Sequence, residues 1–571
     1  MNKQYWLSAN QHLCAKIITE LHYEERLQPR AAGAGWVLAT ADREWRFKAD
    51  VTVWGMLNID EASLHCSDLR EPLAAQLLLD VQADLEINDI NLANLLEEVQ
   101  QTLYSDMQRL AQLQHVTASD MAQMPETLRQ RYIDSHPKAI ANKGRLGWGA
   151  DDLQRYAPES GTAFKLRWLA VRKSLCQSGI AAGLEYQQLL ENVLEAETLR
   201  ALQHSLGKQA QNFWLIAVHP WQYQRFLTGQ YAGLFADGDL IDLGEHGPDW
   251  LAQQSIRTLS AEDTAVQYDA KTALSILNTS SYRGIPGKFI VQGPELSAWL
   301  AKTAASDPTL AQHGLKVQQE VAGFYCAHPF QAQIKQGPYR YDEMLGCIWR
   351  ERAEAVVGAS QRPMTMAALM QTDQNGTPLI GALIDASELS AKAWLAKLFN
   401  HVVVPLYHLM CQYGVALVAH GQNITLILEN NQPAGCIIKD FHGDLRLVDQ
   451  AYPELESLNA DIRNTLTRLP PKYLVHDLLT GHFVTVLRFI SPHLIGLGVT
   501  EQEFYQLLRQ TLTDYQQQHP DLAERYAQFD LLSPTIDKIC INRVRFRIGY
   551  GDSNERPLPD IGQPIPNPLN P

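Results

Sequence analysis

The chain has 571 residues and a formal net charge of −15, from 48 Lys and Arg against 63 Asp and Glu. The length exceeds one hydrophobic core, so two or three domains are expected, and the acidic balance argues against general nucleic-acid or anionic-membrane binding while leaving room for a locally basic pocket. Eight cysteines (Cys14, Cys66, Cys176, Cys326, Cys347, Cys411, Cys436 and Cys540) lie no closer than 21 residues apart, a pattern of free thiols in a reducing compartment rather than of a disulfide frame or zinc ribbon.

The N-terminus lacks the apolar region and cleavage site of a signal peptide and reads as an amphipathic helix. The apolar window from Val402 spans nine residues with Pro405 and His408 inside it, short of a membrane span. A cytoplasmic protein is expected. Residues 1–130 read as helical at both ends, with a strand-like centre at 44–59 and a helix over 91–114. The stretch 135–160 is rich in Gly, Pro and cations and reads as loop. Residues 160–215 read as helix, and short strands alternate with turns from there to about 290. A long helix over 390–414 is interrupted at Pro405 and closed by Gly414. Helices dominate from 453 to 530, and the last 21 residues, with six prolines, are extended.

Two apolar runs, 415–428 and 436–448, break open on His-Gly-Gln-Asn and Asp-Phe-His-Gly-Asp. Polar groups at such ends are costly without partners or a ligand. If the runs pair as a hairpin, His420, Gln422 and Asn423 converge with Asp440 and Asp444. An Asn and an Asp so placed are hard oxygen ligands suited to Mg²⁺ beside a nucleotide phosphate, as in kinases. The plainer alternative is a capped turn and a solvated loop acid.

Positive charge comes from two further stretches. "QQSIRTL" carries Ser255, Arg257 and Thr258, and "DAKTALSILNTSSYRGIPGK" carries Lys271, Thr279 and Arg283. Lys271 and Thr279 share a face if one strand runs through both. Arg257, Lys271 and Arg283 suggest an anion pocket, against the commoner fate of surface pairing. "GIPGK" is too short for a P-loop. "HPKAIANKGRLGWG" places His136, Lys143 and Arg145 in a Gly-flanked loop that could bind an acid, or be no more than a solvated basic loop. No nucleophile elbow, zinc helix or dinucleotide turn appears.

Taken in order, "HPKAIANKGRLGWG…YAPE", "VHPWQYQ", "SIRTL", "KTALSILNTSSYRG", "AHGQN" and "KDFHGD" resemble the NRPS-independent siderophore synthetases, the aerobactin-synthetase superfamily, from about residue 130 to 545. The resemblance implies an α+β, cupped-hand architecture: a helical thumb (1–160), β-rich fingers (161–385) and a kinase-like α/β palm (386–571). It implies an enzyme, usually dimeric, that adenylates a carboxylate with Mg-ATP and passes the acyl group to an amine. By motif, Ser255, Arg257, Thr258 and Lys271 match phosphate contacts, and His420, Gln422 and Asn423 match nucleotide-site residues. Asp440 with Asn423 matches the Mg²⁺ site, and Thr279 and Arg283 the carboxylate clamp. The sequence departs from many members at Val418, where they carry Glu. "NKGRLGWG" and the C-terminal segment look most like synthetases that join N-hydroxy-N-succinyl diamines into desferrioxamine, bisucaberin, putrebactin or alcaligin. The alternative is an aerobactin-type synthetase joining a hydroxylysine derivative to a citryl intermediate. A small-molecule kinase is a rival, although Gln422 stands where its base would be. So is a siderophore-binding or iron-release protein, since part of the C-terminal half resembles ferric-reductase-like domains.

Overall fold

The computed structural model describes residues 2–68, 71–279, 281–441, 443–549, 552 and 559–570. Helix and sheet are mixed throughout. In the N-terminal part the helices Lys3–Tyr23 and Asp89–Leu113 flank a four-stranded antiparallel meander that ends in Leu57–Cys66. Leu13, Ile17, Ile18 and Leu21 of the first helix pack with Trp45, Phe47, Val99 and Leu103 in one core.

The centre of the molecule is an eight-stranded antiparallel sheet. Its spatial order is Gln177–Ile180, Glu320–Tyr325, Gly346–Glu351, Tyr268–Thr272, Thr258–Ala261, Leu240–Ala252, Phe164–Arg172 and Phe213–Val218. Side chains alternate across a strand, and here the two faces differ sharply. One face carries Trp168, Trp250 and Trp349, whose rings lie about 6.1 Å apart and share a core with Leu189, Leu190 and Leu199 of the covering helices. The other carries Thr258, Ser260, Asp269, Lys271 and Arg350, brought side by side by the pairings Thr258↔Lys271 and Asp269↔Arg350. This charged face is the floor of the candidate site.

Phe164–Arg172 corrects the helical reading of 160–215. Its run "WLAV" is apolar without a period and does not by itself distinguish a central strand from a buried helix; pairing on both edges makes it a strand. The supposed continuous strand from Lys271 to Thr279 is also corrected. It breaks at Ala273, and Leu274–Asn278 belongs to another sheet, between Ser281–Arg283 and Arg145–Leu146. Parity does not carry across such a break.

In the C-terminal part, Ile424–Glu429 and Gln432–Ile438 form a hairpin. Its two turn residues, Asn430 and Asn431, both have positive φ, as a primed turn requires. Val415–Leu417 instead pairs with Leu445–Val448, so each apolar run is two strands with a polar loop between them. The helix Val404–Tyr413 follows a single wide turn at Phe399–Val403 and ends on Gly414 at φ +64°. The segment Pro471–Leu497 is long and apolar enough to cross a membrane by length and composition, and 72% of its apolar window is buried inside the protein, the mark of a core helix. The proline-rich tail is extended where described, and it packs on its own chain. Asp560–Ile561 pairs with Ile539–Cys540, Ile565–Pro566 pairs with Thr535–Ile536, and Leu569 is fully buried. All eight cysteines are free.

Candidate active site

The loops 418–423 and 439–444 close over the charged face of the eight-stranded sheet. Asp440 accepts from the Lys271 ammonium, and its second oxygen lies 3.2 Å from a guanidinium nitrogen of Arg350. Burial works against the Asp440 charge, but Lys271, Arg350 and Lys439 outweigh it and hold the carboxyl well below the ordinary range. Burial, reinforced by Arg350, pushes the Lys439 ammonium down. Arg350 is 1% exposed and also faces Asp269 at 3.8 Å. No sequence pattern singled it out, because its partners come from distant strands and a loop.

Asn423 is buried and ties the two loops together. Its amide donates to the Val418 carbonyl at 2.9 Å and to Asp444 at 3.2 Å, and its own carbonyl accepts from Lys439 N at 3.2 Å. Gly421 is required where it stands. A Cβ there would come within 3.0 Å of the Ala367 backbone, whose N–H donates to the Gly421 carbonyl. His420 accepts the Gln422 N–H on Nδ1 at 3.2 Å, and His136 accepts the Ala139 N–H on Nδ1 at 3.2 Å. The two rings face each other at 6.4 Å. Burial lowers both pKa values, and for His136 the neighbouring His420 adds to it. Both are neutral at neutral pH with the proton on Nε2. His442 of the second motif lies outside the described residues.

The phosphate-contact candidates come from the turn that joins Leu240–Ala252 to Thr258–Ala261. Ser255 Oγ accepts from Thr258 N at 3.2 Å, and the Arg257 carbonyl accepts from Thr272 N at 2.9 Å, which locks this turn beside Lys271. The Arg257 guanidinium donates to the Gly284 carbonyl. Arg283 donates to the Asn278 carbonyl at 2.8 Å and to Thr279 Oγ1 at 2.6 Å, so its fork is oriented by the turn that carries Thr279. Ile256, Thr279 and Asp440 are three of the eight described non-glycine residues with positive φ, at +60°, +62° and +65°. β-branched residues rarely adopt that conformation, and strain of this kind gathers where function over-determines the backbone.

The structure separates Lys143 and Arg145 from this group. Lys143 is fully buried between Asp106, at 2.7 Å, and Asp134. Arg145 forms a two-pronged ion pair with Glu159 at 2.9 and 2.8 Å, each side chain 1% exposed. Neither is presented to an acid ligand. Of the "HPKAIANKGR" candidates, only His136 reaches the site.

For a divalent cation, the donors are Asp440, Asp444 and Asn423, all hard oxygen groups. Among the described residues no group of three or more His, Cys, Asp or Glu is gathered around one point. The set fits an ion that takes one or two protein ligands and completes its shell from phosphate and water, the habit of Mg²⁺.

Comparison with known proteins bears on this arrangement. The family described as IucA / IucC matches residues 126–371, and the family described as ferric iron reductase FhuF-like transporter matches residues 392–553. The aerobactin synthase of Escherichia coli is 42% identical over 573 residues, covering 100% of this chain and 98% of the relative. The putrebactin synthase of Shewanella sp. (strain MR-4) is 32% identical, covering 95% of this chain and 87% of the relative. The solved structure of aerobactin synthetase IucC from a hypervirulent pathotype of Klebsiella pneumoniae superposes with a TM-score of 0.90 at 39% identity, over 100% of this chain and 99% of that one.

Proposed function

Because the chain belongs to the IucA/IucC family of NRPS-independent siderophore synthetases, we propose that it uses ATP to activate a carboxylate and joins it to an amine as an amide. We take the carboxylate to be that of a citryl intermediate and the amine that of a hydroxylysine derivative. The aerobactin type moves ahead of the N-hydroxy-N-succinyl-diamine type that the sequence motifs favoured, since the full-length likeness to an aerobactin synthase is 42% against 32% to a putrebactin synthase. The latter likeness keeps the diamine as the second reading.

The observation that carries the chemistry is the meeting of Lys271, Arg350 and Asp440 beneath the turn that bears Arg257, with Arg283 on the neighbouring sheet. In this reading the carboxylate rests on Arg283 and Thr279. The triphosphate lies along Ser255, Arg257, Thr258 and Lys271, and the rest of the nucleotide against His420 and Gln422. A carboxylate oxygen forms a bond to the α-phosphorus while the bond to pyrophosphate breaks. The amine nitrogen then bonds to the acyl carbon, AMP leaves with the shared oxygen, and the nitrogen gives up a proton. The cations bring two anions together and offset charge on the phosphoryl group. Asp440 and Asn423 would hold Mg²⁺, which supplies further charge neutralisation on the phosphates. The Lys271 ammonium, which pairs with Asp440, would also offset charge on the phosphates of bound ATP.

The test is turnover with ATP, Mg²⁺, a citryl monoamide and N6-acetyl-N6-hydroxylysine, read by product mass. AMP and pyrophosphate should appear, and added hydroxylamine should trap the acyl group. ADP and phosphate would move the protein to the kinase class. A product formed from N-hydroxy-N-succinyl-cadaverine alone would restore the diamine reading.

A further inference from the structure

The buried helix Pro471–Leu497 packs against the loop that carries His420. From Leu479 to Leu487 it is wound with wide turns for nine residues. The other two such stretches among the described residues, Tyr223–Leu227 and Phe399–Val403, hold five each. Wide turns are rare, are mostly single and gather at functional sites, so a nine-residue run needs a cause. Thr485 Oγ1 supports it by donating to the Thr480 carbonyl, five residues back, at 2.7 Å. Gly481 and His482, both inside the run, meet Val418 and Ala419.

His482 is fully buried, and its Nδ1 lies 2.9 Å from the Ala419 carbonyl. Burial lowers its pKa to about 4, so the ring is neutral, and with a carbonyl as partner its proton sits on Nδ1. Nε2 is then a buried lone pair with no hydrogen-bond partner among the described residues. An apolar side chain would avoid that cost, which leaves the Nδ1 donor as the reason for a histidine here. One residue earlier, a Cβ on Gly481 would lie 3.0 Å from Ala419 N. Glycine lets helix and loop come this close.

Four hydrogen bonds fix the two residues that precede His420. Val418 N donates to the Asp444 carbonyl at 2.9 Å, and the Val418 carbonyl accepts from the Asn423 amide at 2.9 Å. Ala419 N donates to the Asp477 carbonyl at 3.0 Å, and the fourth bond is that of His482. The helix thus supplies both contacts to Ala419. The Ala419 carbonyl and His420 N share one peptide plane, so His482 sets the plane from which the His420 side chain departs.

We propose that His482 is a positioning residue of the nucleotide site: its Nδ1–H, carried by the wide-turned helix, holds the Ala419–His420 peptide so that the His420 ring meets ATP. The proposal rests on the reading above that gives His420 to the nucleotide. Calorimetric titration of the full-length chain with Mg-ATP, without acid or amine, reads binding apart from turnover. His482→Leu removes the donor and should raise Kd about tenfold. His482→Asn offers an amide N–H in place of Nδ1–H and should stay within about threefold of the parent. Gly481→Ala presses on Ala419 while keeping the histidine, and should raise Kd about threefold or more. In a His420→Ala background, His482→Leu should add less than about twofold, because its effect passes through that ring. A histidine that only stabilises the fold would lower the melting temperature and leave Kd unchanged. That result for both His482→Leu and Gly481→Ala overturns the inference. So does an equal loss of affinity in His482→Leu and His482→Asn, or an undiminished loss in the His420→Ala background. A parent chain that does not bind Mg-ATP overturns the inference and the ligase reading together. Binding that depends on His482, with ADP in place of AMP on turnover, upholds the inference and overturns the ligase reading alone.

Discussion

Lys271 and Asp440 are 169 residues apart in the chain and form an ion pair in which the lysine is 6% and the aspartate 20% exposed. The pair joins the eight-stranded sheet to the loop after the hairpin, and Arg350 reaches the same carboxylate. Asp440→Asn is therefore expected to do two things. It should lower kcat/KM by at least about 100-fold, the scale of removing one charged group from a preorganised site. It should also lower stability by about 3 kcal/mol, since it leaves Lys271 and Arg350 facing each other without their anion. Adding Lys271→Met should restore part of that stability and none of the activity. Steady-state kinetics and denaturant unfolding of Asp440→Asn, Lys271→Met and the double variant check both halves. Equal additive losses would show that the two side chains are not coupled.

Arg283 is anchored through one nitrogen to Asn278 and Thr279, an arrangement that aims a fork rather than a point charge. Arg283→Lys should raise KM for the carboxylate and lower the rate, with ATP binding little changed. A lost fork contact to an anion is worth roughly 2–4 kcal/mol, about 30- to 1000-fold in kcat/KM. Arg257→Lys should weaken ATP first. Kinetics that vary acid and ATP separately decide this; a shift in the ATP constant alone for Arg283→Lys would reassign that residue to the phosphates.

How far the sequence reached can be judged residue by residue. The polar breaks at His420 and Asp440 were legible because an apolar run that ends on charged groups needs a reason. Gly414 as a helix stop was legible from local conformational preference. Arg350 was not, since nothing in "CIWRE" says that Asp269 and Asp440 will meet it. Lys143 and Arg145 were misjudged for the same reason: their acids, Asp106, Asp134 and Glu159, are placed beside them only by the fold. The positive φ at Ile256 and Thr279 also had no local signal, because neither residue favours that conformation.

Asp477 lies behind the His420 loop, where its backbone carbonyl accepts from Ala419 N at 3.0 Å. Burial, with Asp444 nearby, outweighs the Arg446 partner and pushes its carboxyl up to about 7, from an ordinary 3.8. The folded state thus holds a proton that the unfolded chain has released between those values. Stability then falls as pH rises across that window and levels off above about 7. Asp477→Asn removes the titration while retaining an acceptor oxygen for Arg446. Its melting temperature relative to the parent should climb from pH 4 to pH 7 and then stay level. Thermal scans across that range test it, and a difference that does not vary with pH would count against the buried charge.

Arg145 and Glu159 supply the last prediction, because they decide between two roles for a residue that the sequence offered to a substrate acid. Both are 1% exposed and each satisfies the other through two hydrogen bonds. Burial opposes the Glu159 charge, but Arg145 outweighs it and lowers the carboxyl below its ordinary value. That stabilisation is present above the unfolded carboxyl pKa and is lost as pH falls through the folded one. Arg145→Met should cost about 3–5 kcal/mol at neutral pH, the scale of stranding one member of a buried pair. In acid the loss should shrink, because a protonated Glu159 no longer needs a cation. KM for the carboxylate should stay close to the parent value in whatever fraction folds. A second variant, Arg145→Met with Glu159→Leu, removes both charges and should regain most of the stability. If instead the single variant folds with parental stability and loses affinity for the acid, then Arg145 contacts the substrate, and the ion pair with Glu159 opens when the acid binds.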